Sequence, residues 1–62
     1  MDLNIARFVE ARKAKGLSQM ELAEGICTQA TLSRFENNGK VPNLKILNKL
    51  CKRLDLTLDQ LF

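Results

Sequence analysis

The chain has 62 residues, 45% of them hydrophobic, and a net charge of +3, which makes one domain near the lower size limit for folding without disulfide or metal staples. No apolar run approaches the roughly 18–20 residues of a membrane helix, and no basic-then-apolar leader opens the chain. Two cysteines and no histidine are too few ligands for a zinc site, so Cys27 and Cys51 are expected as reduced thiols on apolar helix faces, with no metal and no cofactor.

Asp2 is the candidate cap of a first helix that runs to about Lys15 and stops at Gly16. Ile5, Phe8 and Val9 form its apolar stripe. Arg12 continues that face one turn later, and an arginine in line with an apolar stripe needs a partner. Next, Ser18 and Glu21 have capping-box spacing, with Leu17 and Leu22 placed as a hydrophobic staple. They predict a second helix over about Gln19–Ile26. The pattern recurs at once: Thr28 caps a third helix over Gln29–Asn37, with Cys27 and Leu32 at the staple positions. A link this short, restarted by a cap, cannot leave the two helices collinear. They must cross steeply, as in a helix-turn-helix.

Asn37, Asn38 and Gly39 make a breaker cluster, and Lys40, Val41 and Pro42 lead out as an extended linker. Asn43 caps a fourth helix whose apolar stripe is Leu44, Leu47, Leu50, Cys51 and Leu54. Lys45, Lys49 and Lys52 lie on its opposite face and are read as solvated. Thr57 and Gln60 form another capping box, with Leu56 and Leu61 as its staple, predicting a short fifth helix. No strand pattern or repeat is present. The expected fold is all-α, five short helices around one core, in a single domain spanning 1–62.

Catalysis has little to work with. There is no histidine, no Gly-rich phosphate loop, and no nucleophile beside a base. Charge is more informative. Between Arg12 and Arg53 lie nine basic residues and only three acids, Glu21, Glu24 and Glu36. A basic middle suits a polyanion. In a helix-turn-helix the second helix enters the major groove, where base edges carry a distinct donor and acceptor pattern. Once Leu32 and Phe35 face inward, Thr28, Gln29, Ala30, Thr31, Ser33 and Arg34 are left outside. Gln29 suits adenine, Arg34 suits guanine or a phosphate, and Ala30 suits a thymine methyl. The Thr28 and Ser33 hydroxyls serve either bases or backbone. Thr31 is assigned to packing against the second helix.

The segment LSQMELAEGI followed by TQATLSRFENNG resembles the helix-turn-helix of the lambda repressor/Cro (XRE) superfamily of bacterial and phage regulators. The resemblance extends from Ile5 to Phe62. One departure is a turn shorter by one residue, where Ile26 leads straight to Cys27 and Thr28. That turn is similar to the one in peptide-pheromone-controlled regulators of the Rgg/PlcR type. The resemblance implies that Thr28, Gln29, Ala30, Ser33 and Arg34 sit at base-reading positions. It also implies phosphate contacts from Gln19, Asn38 and Lys40, and an ion pair between Arg12 and Glu36.

The function expected is sequence-specific binding of double-stranded DNA by a cytoplasmic transcriptional regulator. The alternative is a protein-interaction module, an antitoxin or adaptor, on the same fold. The Rgg/PlcR likeness further implies a longer protein with a C-terminal helical-repeat domain that dimerises and takes a signalling peptide. The isolated domain is then expected to be a monomer and the full-length protein a homodimer.

Overall fold

A computed structural model describes residues 3–62. Four α-helices and one 3-10 turn follow one another: α1 Ile5–Ala14, α2 Gln19–Ala23, α3 Gln29–Asn38, α4 Leu44–Arg53, and a 3-10 turn at Leu58–Gln60. No strand forms among the described residues. The expected fifth helix is therefore a single turn, too short for α-helical bonding. Asp2 lies outside the described residues. The first helix is capped by Asn4, whose Oδ1 accepts from the Arg7 amide at 3.0 Å.

Three of the expected caps rest on spacing within one turn. Ser18 Oγ accepts from the Glu21 amide, and the Glu21 carboxylate accepts from the Ser18 amide, both at 3.0 Å. Thr28 Oγ1 accepts from the Thr31 amide at 3.1 Å, and Asn43 Oδ1 from the Ile46 amide at 2.8 Å. Each side-chain oxygen satisfies an amide that the helix start leaves unpaired.

The helix before the turn is shorter than its periodicity suggests. It ends at Ala23 rather than Ile26, because Glu24 takes an extended ψ of 125° and Gly25 a φ of +78°. Only glycine enters that left-handed region without steric cost. Ile26 thus belongs to the turn, half-buried against the core. At the far end, α3 runs one residue past Asn37 and stops at Gly39, whose left-handed backbone lets its amide reach Phe35 O at 3.0 Å.

The core gathers Phe8, Leu22, Ala23, Leu32, Phe35, Leu47, Leu50, Cys51, Leu54, Leu56 and Leu61. At its centre the rings of Phe8 and Phe35 meet edge to face, centroids 4.9 Å apart, a favoured arrangement of ring quadrupoles. Helix α3 packs on α1 and α2, and α4 closes against α2. Leu44 does not join the stripe expected for it: it is 62% exposed, at the first turn of α4. The Asn4 amide donates to Leu61 O at 2.7 Å, drawing the last turn back to the start of α1. This frame holds α3 against α1 and α2 while leaving one face of it in solvent.

Candidate nucleic-acid interface

On α3, helical period puts Ala30, Ser33, Arg34 and Asn37 on one face, with Gln29 beside them at the N-terminus. Gln29, Ala30, Arg34 and Asn37 are exposed, Ser33 is half-buried, and Leu32 and Phe35 point into the core. Among the base-reading candidates, Thr28 is exposed but already occupied as a cap, accepting from the Thr31 amide with its hydroxyl 3.0 Å from that of Thr31. Ser33 Oγ accepts from the Asn37 side-chain amide at 3.1 Å. Its own O–H is left as a donor, suited to acceptors such as guanine O6 or a phosphate oxygen. Asn37, read in the sequence as part of a breaker, is a fourth polar member of this face. Its i, i+4 spacing from Ser33 was the signal available.

Thr31 is half-buried and shares a hydroxyl contact with Thr28. It also lines a shallow cleft of about 90 Å³ with Arg34, Lys40, Val41 and Pro42. That cleft lies between α3 and the linker that follows it. It also brings the Arg34 and Lys40 side chains to one rim, so two cations flank the exit of α3. Asn38 is the exposed last residue of α3, next to them in sequence.

Gln19, the first residue of α2, is half-buried, and its side-chain amide donates to Glu36 Oε1 at 3.0 Å. Glu36 in turn receives Arg12 Nε at 2.8 Å and Arg12 Nη2 at 3.1 Å. The remaining Arg12 amino group donates to Leu17 O at 2.8 Å. This fork-to-fork pair satisfies both charges with little water around them, the side chains being 12% and 4% exposed. Two consequences follow. The start of α2 is tied to the end of α3, and the one carboxylate on α3 is turned away from its outer face. Arg34 is left as the sole charge on that face among the described residues.

The acid at the start of α2 acts in the other direction. The Ser18 amide, with help from its hydroxyl, holds the Glu21 carboxyl below the usual carboxylate range, while slight desolvation opposes it. A carboxylate fixed there offsets the positive end of the short α2 dipole. Glu21 and Glu24 share a cleft with Met20, Ala23, Cys27 and Gln29. With the helix end already matched by Glu21, the polar group left to meet an anion at this end is the Gln19 side chain. Burial pushes the thiols of Cys27 and Cys51 up, keeping both protonated.

A further polar group appears only in three dimensions. Arg53, at the end of α4, donates through Nη1 to Leu22 O at 3.1 Å and to Glu24 O at 2.7 Å. Its spacing of about thirty residues from these acceptors carries no local signature.

A helix-turn-helix family model matches residues 9–61. The chain is similar to the crystal structure of Bacillus thuringiensis PlcR in complex with the peptide PapR7 and DNA, with a TM-score of 0.82 and 28% sequence identity. The match covers 90% of this chain and 20% of the PlcR chain, so the chain spans about a fifth of the length of that protein. A search of curated proteins finds no match. The chain belongs to the XRE-type helix-turn-helix family.

Proposed function

We propose that the chain is the sequence-specific DNA-binding head of a transcriptional regulator, with α3 lying in the major groove. Thr28, Gln29, Ala30, Ser33 and Arg34 face base edges, and Gln19, Asn38 and Lys40 hold phosphates. The observation that carries this reading is the outer face of α3. It presents amide, methyl, hydroxyl and guanidinium groups together, the functional groups that read base edges, while Glu36 is withdrawn onto Arg12. A protein-docking face would offer a continuous apolar patch at that position instead. Likeness to PlcR, whose crystal structure contains DNA, supports the same reading.

We further propose that these residues are one part of a longer, dimeric regulator in a bacterial cytoplasm. The support is the one-fifth coverage of PlcR. A single α3 reaches only one half-site, and joining two heads makes the second binding step intramolecular, which raises affinity by about 10²–10⁴. Half-sites in this class lie about 34 Å apart.

Titration of the chain with random duplex DNA at two salt concentrations tests the reading. Binding that weakens steeply with salt is expected, because neutralised phosphates release counterions. Salt-independent binding, or none, contradicts it.

A further inference from the structure

We infer that Arg53 is a positioning residue, one that takes the place of the missing last turn of α2 and sets the angle at which α3 is presented. The inference rests on the reading of α3 as the DNA-reading helix.

A helix leaves its last carbonyl oxygens without partners unless a cap or a further turn supplies them. Here α2 has five residues, and the chain bends at Glu24 and Gly25. The amides of Ile26 and Cys27 both fold back onto Ala23 O, at 2.8 and 2.9 Å. No backbone amide among the described residues reaches Leu22 O or Glu24 O. Arg53 Nη1 donates to both, and a charged donor gives stronger bonds than a neutral one.

The placement matters because these carbonyls bracket the bend. Leu22 belongs to α2 and Glu24 to the turn, so one guanidinium fixes the direction in which the chain leaves α2. Four residues later Thr28 starts α3. Arg53 itself is anchored at the end of α4, whose Leu47, Leu50, Cys51 and Leu54 are buried. A rigid helix therefore holds the turn, and the turn aims the recognition helix. Lysine cannot substitute fully: its ammonium is a compact, strongly hydrated charge on a flexible stem, whereas the rigid guanidinium fixes the two N–H directions of the one nitrogen, Nη1, that makes both bonds.

The test uses the 62-residue chain with Arg53→Met, which keeps the apolar stem, and Arg53→Lys. Two quantities are measured well below the melting temperature: amide hydrogen exchange, and affinity for a selected duplex against a random one. With Met, exchange at Ile26 and Cys27 should quicken about tenfold beyond any change at Leu50, the worth of a lost charged hydrogen bond. Affinity for the selected duplex should fall about tenfold or more, as when one bidentate base contact is mis-seated, while random-duplex affinity holds within about twofold. Lys should fall between. Uniform exchange changes with an unmoved affinity ratio would make Arg53 merely structural and overturn the proposal. Equal losses on both duplexes would make it a phosphate contact and overturn it too. A wild-type chain without site preference refutes the DNA reading, and the exchange at Ile26 and Cys27 then decides the clamp by itself. If Arg53→Met does not fold, the Lys variant carries both measurements.

Discussion

Gln19 and Glu36 are hydrogen-bonded, side-chain amide to carboxylate, at 3.0 Å, so the residue proposed to hold a phosphate is aimed by the helix proposed to read bases. Arg12 completes the arrangement by neutralising Glu36. One of the two Gln19 amide hydrogens remains for a phosphate oxygen. Gln19→Ala should therefore weaken binding to every duplex while leaving the melting temperature within a few degrees. A melt and two titrations check it.

The ion pair itself is a stability element. Removing one partner of a well-desolvated pair costs about 3–5 kcal/mol, against about 0–1 kcal/mol for an exposed one. With side chains 12% and 4% exposed, Glu36→Gln should fall toward the larger figure. For a domain this small each kcal/mol lowers the melting temperature by about 4–8 °C. A variant melting at the wild-type temperature would show that the pair contributes nothing net.

Arg34 and Lys40 share one cleft but are assigned different tasks. Arg34→Ala should cost about 1–3 kcal/mol on a preferred site and much less on random DNA. Lys40→Ala should weaken all sequences alike and reduce the salt slope by about one unit. Parallel losses from both variants on both duplexes would assign Arg34 to phosphate as well.

Acid should loosen the start of α2. Glu21 is held below the usual carboxylate range by Ser18. A group with a lowered folded-state pKa adds stability that is present above its unfolded pKa and lost as pH falls through the folded one. Stability should therefore decline on acidification from the ordinary carboxylate range downward. Glu21→Gln should flatten that part of the profile without steepening it at neutral pH. An unchanged acid limb in this variant would assign the loss to other carboxylates.

Gly25 is constrained by its backbone conformation alone. Its φ is +78°, and a Cβ added there meets nothing within 4 Å. Gly25→Ala should cost about 1–2 kcal/mol from backbone strain. A neutral result in a thermal melt would mean that the turn relaxes to a negative φ.

Local signals were readable in the residues, and long-range ones were not. The caps at Ser18, Thr28 and Asn43 depend on partners three residues away, so spacing exposes them. Periodicity extends α2 too far because Ile26 keeps the helical apolar period, while the left-handed φ of Gly25 that breaks the helix leaves no mark on it. Leu44 keeps the period yet stays exposed for a similar reason: a period names a face without saying how far the neighbouring helix extends over it. On α3, alternation of Leu32 and Phe35 with polar residues was enough to sort inside from outside. The Arg53 clamp and the Gln19–Glu36 bond join residues 29 or 31 and 17 positions apart. They arise only when carbonyls or carboxylates are left in need of donors by the fold itself.

The most direct test of the central claim is selection of duplexes from a random pool by the wild-type chain, followed by the same selection with Gln29→Ala. Base reading by α3 predicts one enriched half-site for the wild type, and loss of preference in the variant confined to the position that Gln29 faces, with the rest of the site retained. Enrichment of no sequence by the wild type, or an identical site selected by the variant, would contradict base reading by α3.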